Sequence, residues 1–324
     1  MADRLDRDAI ILSKEESSYN TDSTPTAGSD ALQVSGFTLD PLNAQNDKRE
    51  LLRGFLGGFE ELVGDRHIAA QYSVELVGSG SAGTAPAWGA QLKACGFAET
   101  LSATTRADYT LVSGSMGSLT SYYHDSGVKH LSTGVRGNVV FDFPLGKRPM
   151  MEFSMLGIHN NESAAANPTG TFTAFKTPEA VTNANSGDIT LGCTHSSSGA
   201  PALVGGLAYP SQGIRINIGN VAEHSALLGG ESIVIQDREV TGTITIDATA
   251  AQEVQLLSDI RAATLTSIGF VHGTVTARKA LVFMPYCQFV RERKINYKGK
   301  RMVQIDFRAI PSAGNDEFRL VTSF

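Results

Sequence analysis

Cysteine and long apolar runs are scarce in this sequence, and each scarcity argues against a class of protein. The three cysteines, Cys95, Cys193 and Cys287, lie far apart and form no Cys-x-x-Cys pair, so neither a disulfide framework nor a zinc site is predicted. No run of about 18 apolar residues is present to cross a bilayer, and the charged residues 1–8 do not resemble a secretion signal. We therefore expect folding in a reducing cytoplasm and no membrane partner.

Positive charge is also in short supply. The 324 residues carry a net charge of −6 and show no basic excess. A protein that grips nucleic acid through its phosphates normally shows such an excess, clustered on one face. The composition therefore argues against tight, phosphate-directed binding of DNA or RNA.

Catalytic and metal-binding patterns are missing as well. The seven histidines occur singly, and the closest approach to a ligand pair is Cys193-x-His195. Residues 78–83 fit Gly-x-Gly-x-x-Gly between a strand and a helix, which is typical of dinucleotide binding, and Glu99 lies near the place of a ribose-binding acid. No second crossover helix follows in this half, however, so a parallel nucleotide-binding sheet is not indicated. We expect no enzyme activity, cofactor or metal ion.

The strongest positive feature is that the chain repeats itself. Residues 145–158 and 298–310 both place a Gly-Lys-Arg turn before a strand in which apolar and polar side chains alternate. Residues 65–75 match residues 237–247, at a constant offset of 172. Short helical patterns follow the second pair, at 85–95 and 250–261. Two amphipathic strands could match by chance, but ordered matches with a helix between them favour a duplicated unit.

The expected fold is mainly β with short flanking helices, arranged as two tandem β-sandwich or barrel units. At 41% hydrophobic content the chain can bury two cores of roughly 150 residues each. A polar N-terminal arm at 1–30 is either floppy or ordered against a neighbouring subunit. The remaining predicted segments are a first unit at 31–160 with a long hairpin at about 100–134, an irregular linker at 161–212, and a second unit at 213–324.

Several motifs in the first 160 residues, taken together, resemble the major tail tube proteins of bacteriophages with long, non-contractile tails. They are Glu15-Glu16, TPTAGSDAL at 24–32, ELVGSG at 75–80, APAWG at 85–89 and LKACGF at 92–97. The resemblance implies a small β-sandwich or barrel unit flanked by a helix. Each such unit contributes four strands to a shared inner barrel, and rings stack through a long hairpin and terminal arms.

The duplicated unit modifies what the resemblance implies. Most members of the family have one unit per chain and form hexameric rings, so a two-unit chain would reach the same geometry as a trimer with pseudo-sixfold symmetry. About 24 strands at roughly 4.8 Å spacing and 40° tilt make a circle about 48 Å across, wide enough inside for duplex DNA. The expected function is a virion tail tube that conducts DNA during genome ejection. The alternative is another virion β-protein, such as a decoration or adhesion domain.

Two sets of side chains are candidates for roles in the tube. Two interpretations are open for the acids that recur on the polar strand faces. They line the lumen, where they would let DNA slide, or they lie on a solvated outer face. Cations at the turns and two tyrosines in the expected hairpin are candidates for contacts between subunits. The lumen candidates are Glu75, Glu152, Asp247 and Asp306, and the contact candidates are Lys147, Arg148, Lys300, Arg301, Tyr122 and Tyr123.

The implied partners are those of a tail. They are further copies of the chain, the tape-measure, tail terminator and tail-tip proteins, and viral double-stranded DNA that passes without specific binding. We expect the protein in the virion tail after assembly in the cytoplasm of the bacterial host.

Overall fold

The chain folds mainly as β-structure, in agreement with the expected class. A computed structural model describes residues 4–5, 7–196 and 200–324. The strands are β1 (Ala9–Glu15), β2 (Ala31–Leu32), β3 (Ser35–Lys48), β4 (Glu61–Glu75), β5 (Phe97–Ser102), β6 (Arg106–Leu111), β7 (Leu119–Asp125), β8 (Val128–Pro144), β9 (Met150–His159), β10 (Ser163–Ala164), β11 (Ile189–Leu191), β12 (Thr194–Ser196), β13 (Ala202–Val204), β14 (Leu207–Tyr209), β15 (Ser211–Asn217), β16 (Asn220–Leu227), β17 (Gly230–Arg238), β18 (Thr241–Ile246), β19 (Leu265–His272), β20 (Ala280–Tyr297), β21 (Lys300–Ala309) and β22 (Arg319–Thr322). The helices are α1 (Gly89–Ala94) and α2 (Ala250–Ala262).

Eight strands form a continuous antiparallel sheet, here called the long sheet, in the order β3-β4-β9-β8-β15-β18-β21-β20. Neighbouring strands alternate in direction, so β4, β8, β18 and β20 run one way. The first four strands come from the first half of the chain and the last four from the second. The β8–β15 pairing joins the halves, so both belong to one sheet.

One face of the long sheet is apolar and buried, and the other is polar. Tyr72, Phe141, Phe153, Ile244 and Ile305 belong to the buried face, each at most 2% exposed. Side chains alternate across a strand, so the intervening residues lie on the opposite face. That face is largely Gln, Ser, Thr, Asn and charged residues, as expected for a sheet solvated on one side.

A second layer covers the apolar face. It contains α1 and a set of strands that includes β1, β5, β6, β7, β11, β19 and β22, and the two layers share one hydrophobic core. The strands β8 and β20 contribute to both layers: their first parts pair with β7 and β19, and their last parts pair within the long sheet. Register shifts lie between Thr133 and Arg136, and between Phe289 and Arg291, where the two strands change partners.

The long hairpin expected at about 100–134 is not present as one unit. The segment instead contains parts of two hairpins, β5–β6 and β7–β8, separated by the loop at 112–118. The strand β6 also pairs with β22 near the end of the chain. Tyr109 and Leu111 are buried in the core, so apolar side chains hold this segment against the protein body instead of letting it project.

The N-terminal segment is folded against its own chain. The strand β1 pairs with β7 from Ala9↔Asp125 to Glu15↔Leu119. Ile11 and Leu12 are buried, and their apolar contacts hold the arm against the rest of the chain. The mostly polar composition of the arm gave no sign of these contacts. The expectation of a floppy arm, or one ordered only against a neighbour, is therefore wrong for the described part. Residues 1–3 and 6 lie outside the described residues.

The segment at 161–212 is also more than a linker. It contains β10 to β14, and β11 pairs with β19 in the second layer. Val181, Ile189 and Tyr209 lie in the shared core. Residues 197–199 lie outside the described residues, so the predicted linker is described only on either side of them.

The sequence repeat corresponds to a repeated pattern of strand pairing. In the first half β4 pairs with β9 and β9 with β8; in the second, β18 pairs with β21 and β21 with β20. Tyr72 lies opposite Phe153, and Ile244 lies opposite Ile305. The helix α1 packs on β8, and α2 packs on β20. The two halves thus share a four-strand order and a flanking helix.

The outer strands of the two halves also correspond. Thr38 pairs with Gln71, and Arg215 pairs with Thr243, which is 172 residues after Gln71. Just before these pairs, each outer strand contains a register shift with a glycine at positive φ, Gly36 at 65° and Gly213 at 111°. The left-handed backbone at both places explains why glycine occurs there.

The acids in the repeated strands occupy positions that differ by two residues. Glu152 lies opposite Ser73, and at the same place in the second half Gln304 lies opposite Thr245. Asp306 lies two residues farther along, opposite Thr243. Because the strand period is two, both acids still belong to the polar face.

Candidate assembly surfaces

The long sheet is open at both sides. Within the described chain, β3 has no partner strand beyond β4, and residues 290–297 of β20 pair only with β21. An open edge presents unpaired N–H and C=O groups that can pair with another strand. These two edges are therefore candidate surfaces for contact with other copies.

The junction between the halves is the pairing of β8 with β15 within the long sheet. The strands β8 and β15 pair from Pro144↔Gly213 to Val140↔Asn217. Asn138 Nδ2 donates to Asn217 Oδ1 at 2.8 Å, and the backbone N–H of Asn220 donates to Asn138 Oδ1 at 3.0 Å. The buried Asn220 side chain also donates to the carbonyls of Cys95 and Gly137. Neutral amides thus join the two strands at the end of this junction near Asn138 and Asn217.

The lumen candidate Glu152 lies in a charged cluster beside that junction. Arg215 Nη1 is 3.3 Å from an Asp142 carboxylate oxygen, and Arg215 Nη2 is 2.5 Å from Glu152 Oε2. Hydrogen bonding to Glu152 raises the pKa of Arg215, whereas burial raises the pKa of Asp142 despite the nearby guanidinium. The single cation therefore joins two acids on the polar face.

The other three lumen candidates are also paired with cations of the same chain. Arg293 Nη2 lies 2.6 Å from Asp306 Oδ2, and Thr243 donates a hydrogen bond to Asp306. Arg148 lies 3.1 Å from Glu75, and Lys300 pairs with Asp247. Glu75, Glu152 and Asp306 belong to strands of one sheet, and Asp247 directly follows β18. Each of the four has a cation of the same chain within ion-pair distance, although Glu152 shares Arg215 with Asp142.

The basic contact candidates lie at one end of the long sheet. The turn at 145–149 leads into β9 and the turn at 298–299 leads into β21, and these two strands run in the same direction. Lys147 and Arg301 are exposed there. Arg148 pairs with Glu75 at the end of β4, and Lys300 pairs with Asp247, which directly follows β18. The contacts of these turns with neighbouring subunits stay a prediction.

The two tyrosine candidates have different environments. Tyr122 is half-buried, donates a hydrogen bond to the Asp22 carboxylate, and has Lys129 over its ring. Tyr123 is 1% exposed and stacks on Phe37 in the core. The assignment of Tyr123 to a contact between subunits is therefore wrong, because the alternation along β7 turns this side chain inward.

Two projecting hairpins, one from each half, were missed by the sequence reading. The β3–β4 hairpin ends in residues 49–60, and the β16–β17 hairpin ends at 228–229. Both point away from the basic turns. Leu52, Leu56 and Leu228 are fully exposed, with Leu51 and Phe55 more than half exposed. Leucines at 47–63 have helical spacing, but the glycines among them disfavour a helix and are typical of an irregular tip.

Comparison with known families identifies the chain. A model of the phage tail tube protein family matches residues 6–309, which include almost the whole long sheet and both halves. The chain belongs to the phage tail tube protein family. Among curated proteins, no significant match was found. Membership gives this tail tube protein a structural role in the virion, with self-assembly into a tube and with tail partners.

The Gly-x-Gly-x-x-Gly segment of this tail tube protein has a packing role. The N–H groups of Gly78, Gly80 and Gly83 donate to the carbonyls of Arg278, Ala277 and Ser323. A Cβ added at Gly78 would lie 2.4 Å from the Ala277 carbonyl oxygen. The glycines therefore allow close approach of the segment that ends the chain, and the N–H groups are occupied within the protein.

Further features of the tail tube protein concern metals and membranes. No group of three or more His, Cys, Asp or Glu side chains is placed to hold a metal ion in the described ranges. Of the helices in the same ranges, neither is long and apolar enough to cross a membrane.

Proposed function

We propose that three copies of the chain form a ring and that rings stack into the tube. The observation that carries this proposal is the long sheet, in which two corresponding four-stranded units are already joined edge to edge. Three chains of eight strands would make a closed cylinder of about 24 strands, which leaves no exposed sheet edge. Two units per chain would then give each trimeric ring pseudo-sixfold symmetry.

The polar face of the long sheet is proposed to line the channel. The apolar face is covered by the second layer, which leaves the polar face as the one able to border a water-filled bore. Glu75, Glu152, Asp247 and Asp306 would then belong to the lumen or its rim. Because each is ion-paired, the lining would present closely spaced charges of both signs, whose field decays over a short distance.

Such a lining suits the passage of duplex DNA. A strongly cationic wall would hold DNA at many phosphates at once, since each neutralised phosphate releases counterions. Ion-paired acids add no net attraction and only weak repulsion. We propose that the tube serves as the conduit for DNA during genome ejection and binds no particular DNA sequence.

Stacking of rings is proposed to involve the two ends of the long sheet. The apolar tips at 49–60 and 228–229 project at one end, and the basic turns lie at the other. The tube would meet the tail terminator and tip proteins at its ends and the tape-measure protein in its bore. Assembly is proposed to take place in the cytoplasm of the bacterial host.

Electron microscopy of the purified protein over a range of concentrations tests this function. We expect hollow tubes, with three chains per ring in end-on views and a threefold axis in a high-resolution reconstruction. Six chains per ring would retain the tube and contradict the two-unit arrangement. Compact monomers that never stack at any concentration would contradict the proposed function itself.

A further inference from the structure

The junction between the two halves provides a template for the junction between copies. The strand β15 corresponds to β3. The partner of Arg215, Thr243, lies 172 residues after the partner of Thr38, Gln71, and both strands have a register shift with a positive-φ glycine just before these pairs. The last part of β8 corresponds to the last part of β20, because each pairs with the strand that follows it, β9 or β21. The β8–β15 pair within the chain therefore corresponds to β20 beside β3 of another copy.

This correspondence specifies a register. Met151 lies opposite Val74 and Val303 opposite Ile246, which makes Met151 and Val303 equivalent. Their partners in the adjacent strands, Phe141 and Lys294, are then equivalent too. Counting one residue along β8 and β20 in each direction makes Asp142 equivalent to Ile295 and Val140 equivalent to Arg293.

Transferring the internal pairs gives the pairs expected between copies. Arg215 lies opposite Asp142, so Thr38 of one copy would lie opposite Ile295 of the next. Asn217 lies opposite Val140, so Asp40 would lie opposite Arg293. All these side chains are on the polar face.

The chemistry at the transferred positions is complementary. Asn138 and Asn217 are hydrogen-bonded within the chain, and the residues at the equivalent positions between copies are Arg291 and Asp40. Neither Arg291 nor Asp40 has an ion-pair partner among the described residues. Oppositely charged groups at an interface guide encounter and fix register. At these two positions the internal junction uses neutral amides, whereas the equivalent side chains on separate chains carry opposite charges.

The projecting hairpins are consistent with the same transfer. The β16–β17 hairpin packs on β8 and β9, where Ile233 is buried and its carbonyl accepts a hydrogen bond from Arg136. The corresponding β3–β4 hairpin leaves Leu62 and Val63 more than half exposed. A second copy joined at β3 would bring its β20 and β21 to this hairpin, as β8 and β9 meet the other.

We infer that the surface between copies is an antiparallel β20–β3 pair with Arg293 opposite Asp40 and Arg291 beside Asp40. This inference rests on the proposed ring and adds its residue-level register. Its partner is a second copy of this chain.

Engineered disulfides in the assembled protein test the register. Thr38→Cys with Ile295→Cys should give covalent trimers on oxidation, because directly opposed Cβ atoms lie about 4.5–5.5 Å apart. Thr38→Cys with Tyr297→Cys shifts the pair by two residues, to about 7–8 Å, and should stay largely monomeric on a non-reducing gel. Arg215→Cys with Asp142→Cys is the internal control and should oxidise within the monomer. The native thiols are buried, which raises the pKa of Cys95 and Cys287 and keeps them unreactive.

The outcomes separate the register from the function. If tubes form and the shifted pair links in preference, the register is wrong and the tube remains. If tubes form and neither pair links while the internal control oxidises, β20 and β3 are not the joined edges. If the wild-type protein forms no tubes, the proposed function fails, and with it this inference.

If the cysteine substitutions prevent tube assembly, reversing the charges at Asp40 and Arg291 tests the same contact. Asp40→Arg should abolish tubes, and adding Arg291→Asp should restore them. Normal assembly of the Asp40→Arg protein would overturn the inference.

Discussion

The internal counterparts of Asp40 and Arg291 are the uncharged Asn217 and Asn138. The double change Asp40→Asn with Arg291→Asn should therefore place the same amide pair at the proposed surface between copies. We expect tubes to form still, but with assembly rates that are nearly equal at about 0.05 and 0.5 M salt, whereas assembly of the wild-type protein should slow as salt screens the charge pair. Light scattering measures both rates. Equal salt dependence in the two proteins would mean that these charges do not meet.

Buried histidines make the stability of the fold depend on pH. His272 Nε2–H donates to the Glu179 carbonyl, and its Nδ1 accepts a hydrogen bond from Ser186. Burial lowers the pKa of His272, and it also lowers the pKa of His67, His124 and His195. The unfolded chain therefore binds protons more readily, at a pKa of about 6.5.

The stability provided by neutral His272 should be complete above about pH 6.5 and should fall as the pH drops below it. Urea unfolding of dilute, unassembled protein at about pH 7.5 and 5.5 measures the loss. His272→Gln should reduce the slope by at most about 1.4 kcal/mol per pH unit, the contribution of one proton. A slope unchanged by this substitution would show that His272 does not titrate on unfolding in that range.

At individual residues, the sequence predicted which face of a strand a side chain occupies better than it predicted the ion-pair partner of that side chain. Alternation along β9 and β21 correctly placed Glu152 and Asp306 on polar strand faces. Their partners, Arg215 and Arg293, come from strands whose neighbours are set by long-range pairing, which local patterns do not encode. For Tyr123 the prediction failed because a tyrosine-rich segment was taken to be exposed, although its alternate residues line the core.

The helix α2, which the sequence predicted at 250–261, begins with a capping box. Thr249 Oγ1 accepts a hydrogen bond from the Gln252 N–H, and Gln252 Oε1 accepts one from the Thr249 N–H at 2.8 Å. Thr249→Ala should lower the free energy of unfolding by about 1 kcal/mol, while Thr249→Ser should cost much less, because serine retains the hydroxyl. Urea unfolding compares the three proteins. Equal losses for alanine and serine would show that the hydroxyl does not cap the helix.

The tip of the β3–β4 hairpin should matter to assembly and little to folding. Leu52 and Leu56 are fully exposed in the chain, so replacing both with serine removes no internal packing. We expect the double variant to retain the thermal stability of the monomer but to need a higher protein concentration to form tubes, because apolar area buried between rings is lost. Sedimentation across concentration measures this.

Val254→Ser provides the matched control for the hairpin variant, since Val254 is an exposed apolar residue on α2, remote from that tip. It should leave the critical concentration unchanged. If both variants raise the critical concentration equally, general solubility and not a ring contact explains the effect.

Elements with a clear period were the ones predictable from sequence. The strand after each basic turn and the capped helix α2 have such periods. The first helix was predicted at 85–95, but it begins at Gly89 after Trp88 and has no side-chain cap. Turns around Pro86 occupy the intervening residues, and Trp88 donates its indole N–H to the Val77 carbonyl. The tertiary contact, and not local capping, sets this helix start.

For the whole molecule, the duplicated unit stays a prediction, and the structure joins the two halves of the chain in one sheet. Separate units would have left the connecting segment loose. Instead β11 from that segment and β1 from the N-terminal arm complete the second layer, and β6 of the first half pairs with β22 at the end of the chain. Such contacts join residues more than 75 positions apart, and no periodicity in either segment predicts them.

The number of chains per ring follows from whether each chain supplies one or two units. A heavy-atom cluster on Ser258→Cys, at an exposed position of α2, marks only the second half of each chain. A trimeric ring should show three such labels. Ala103→Cys marks the first half and should also give three, and the doubly labelled protein should give six. Electron microscopy of end-on tubes counts them, and the buried native thiols should remain unlabelled. Six labels from Ser258→Cys alone would mean six chains per ring, so that each chain occupies one of six equivalent positions despite its two corresponding halves.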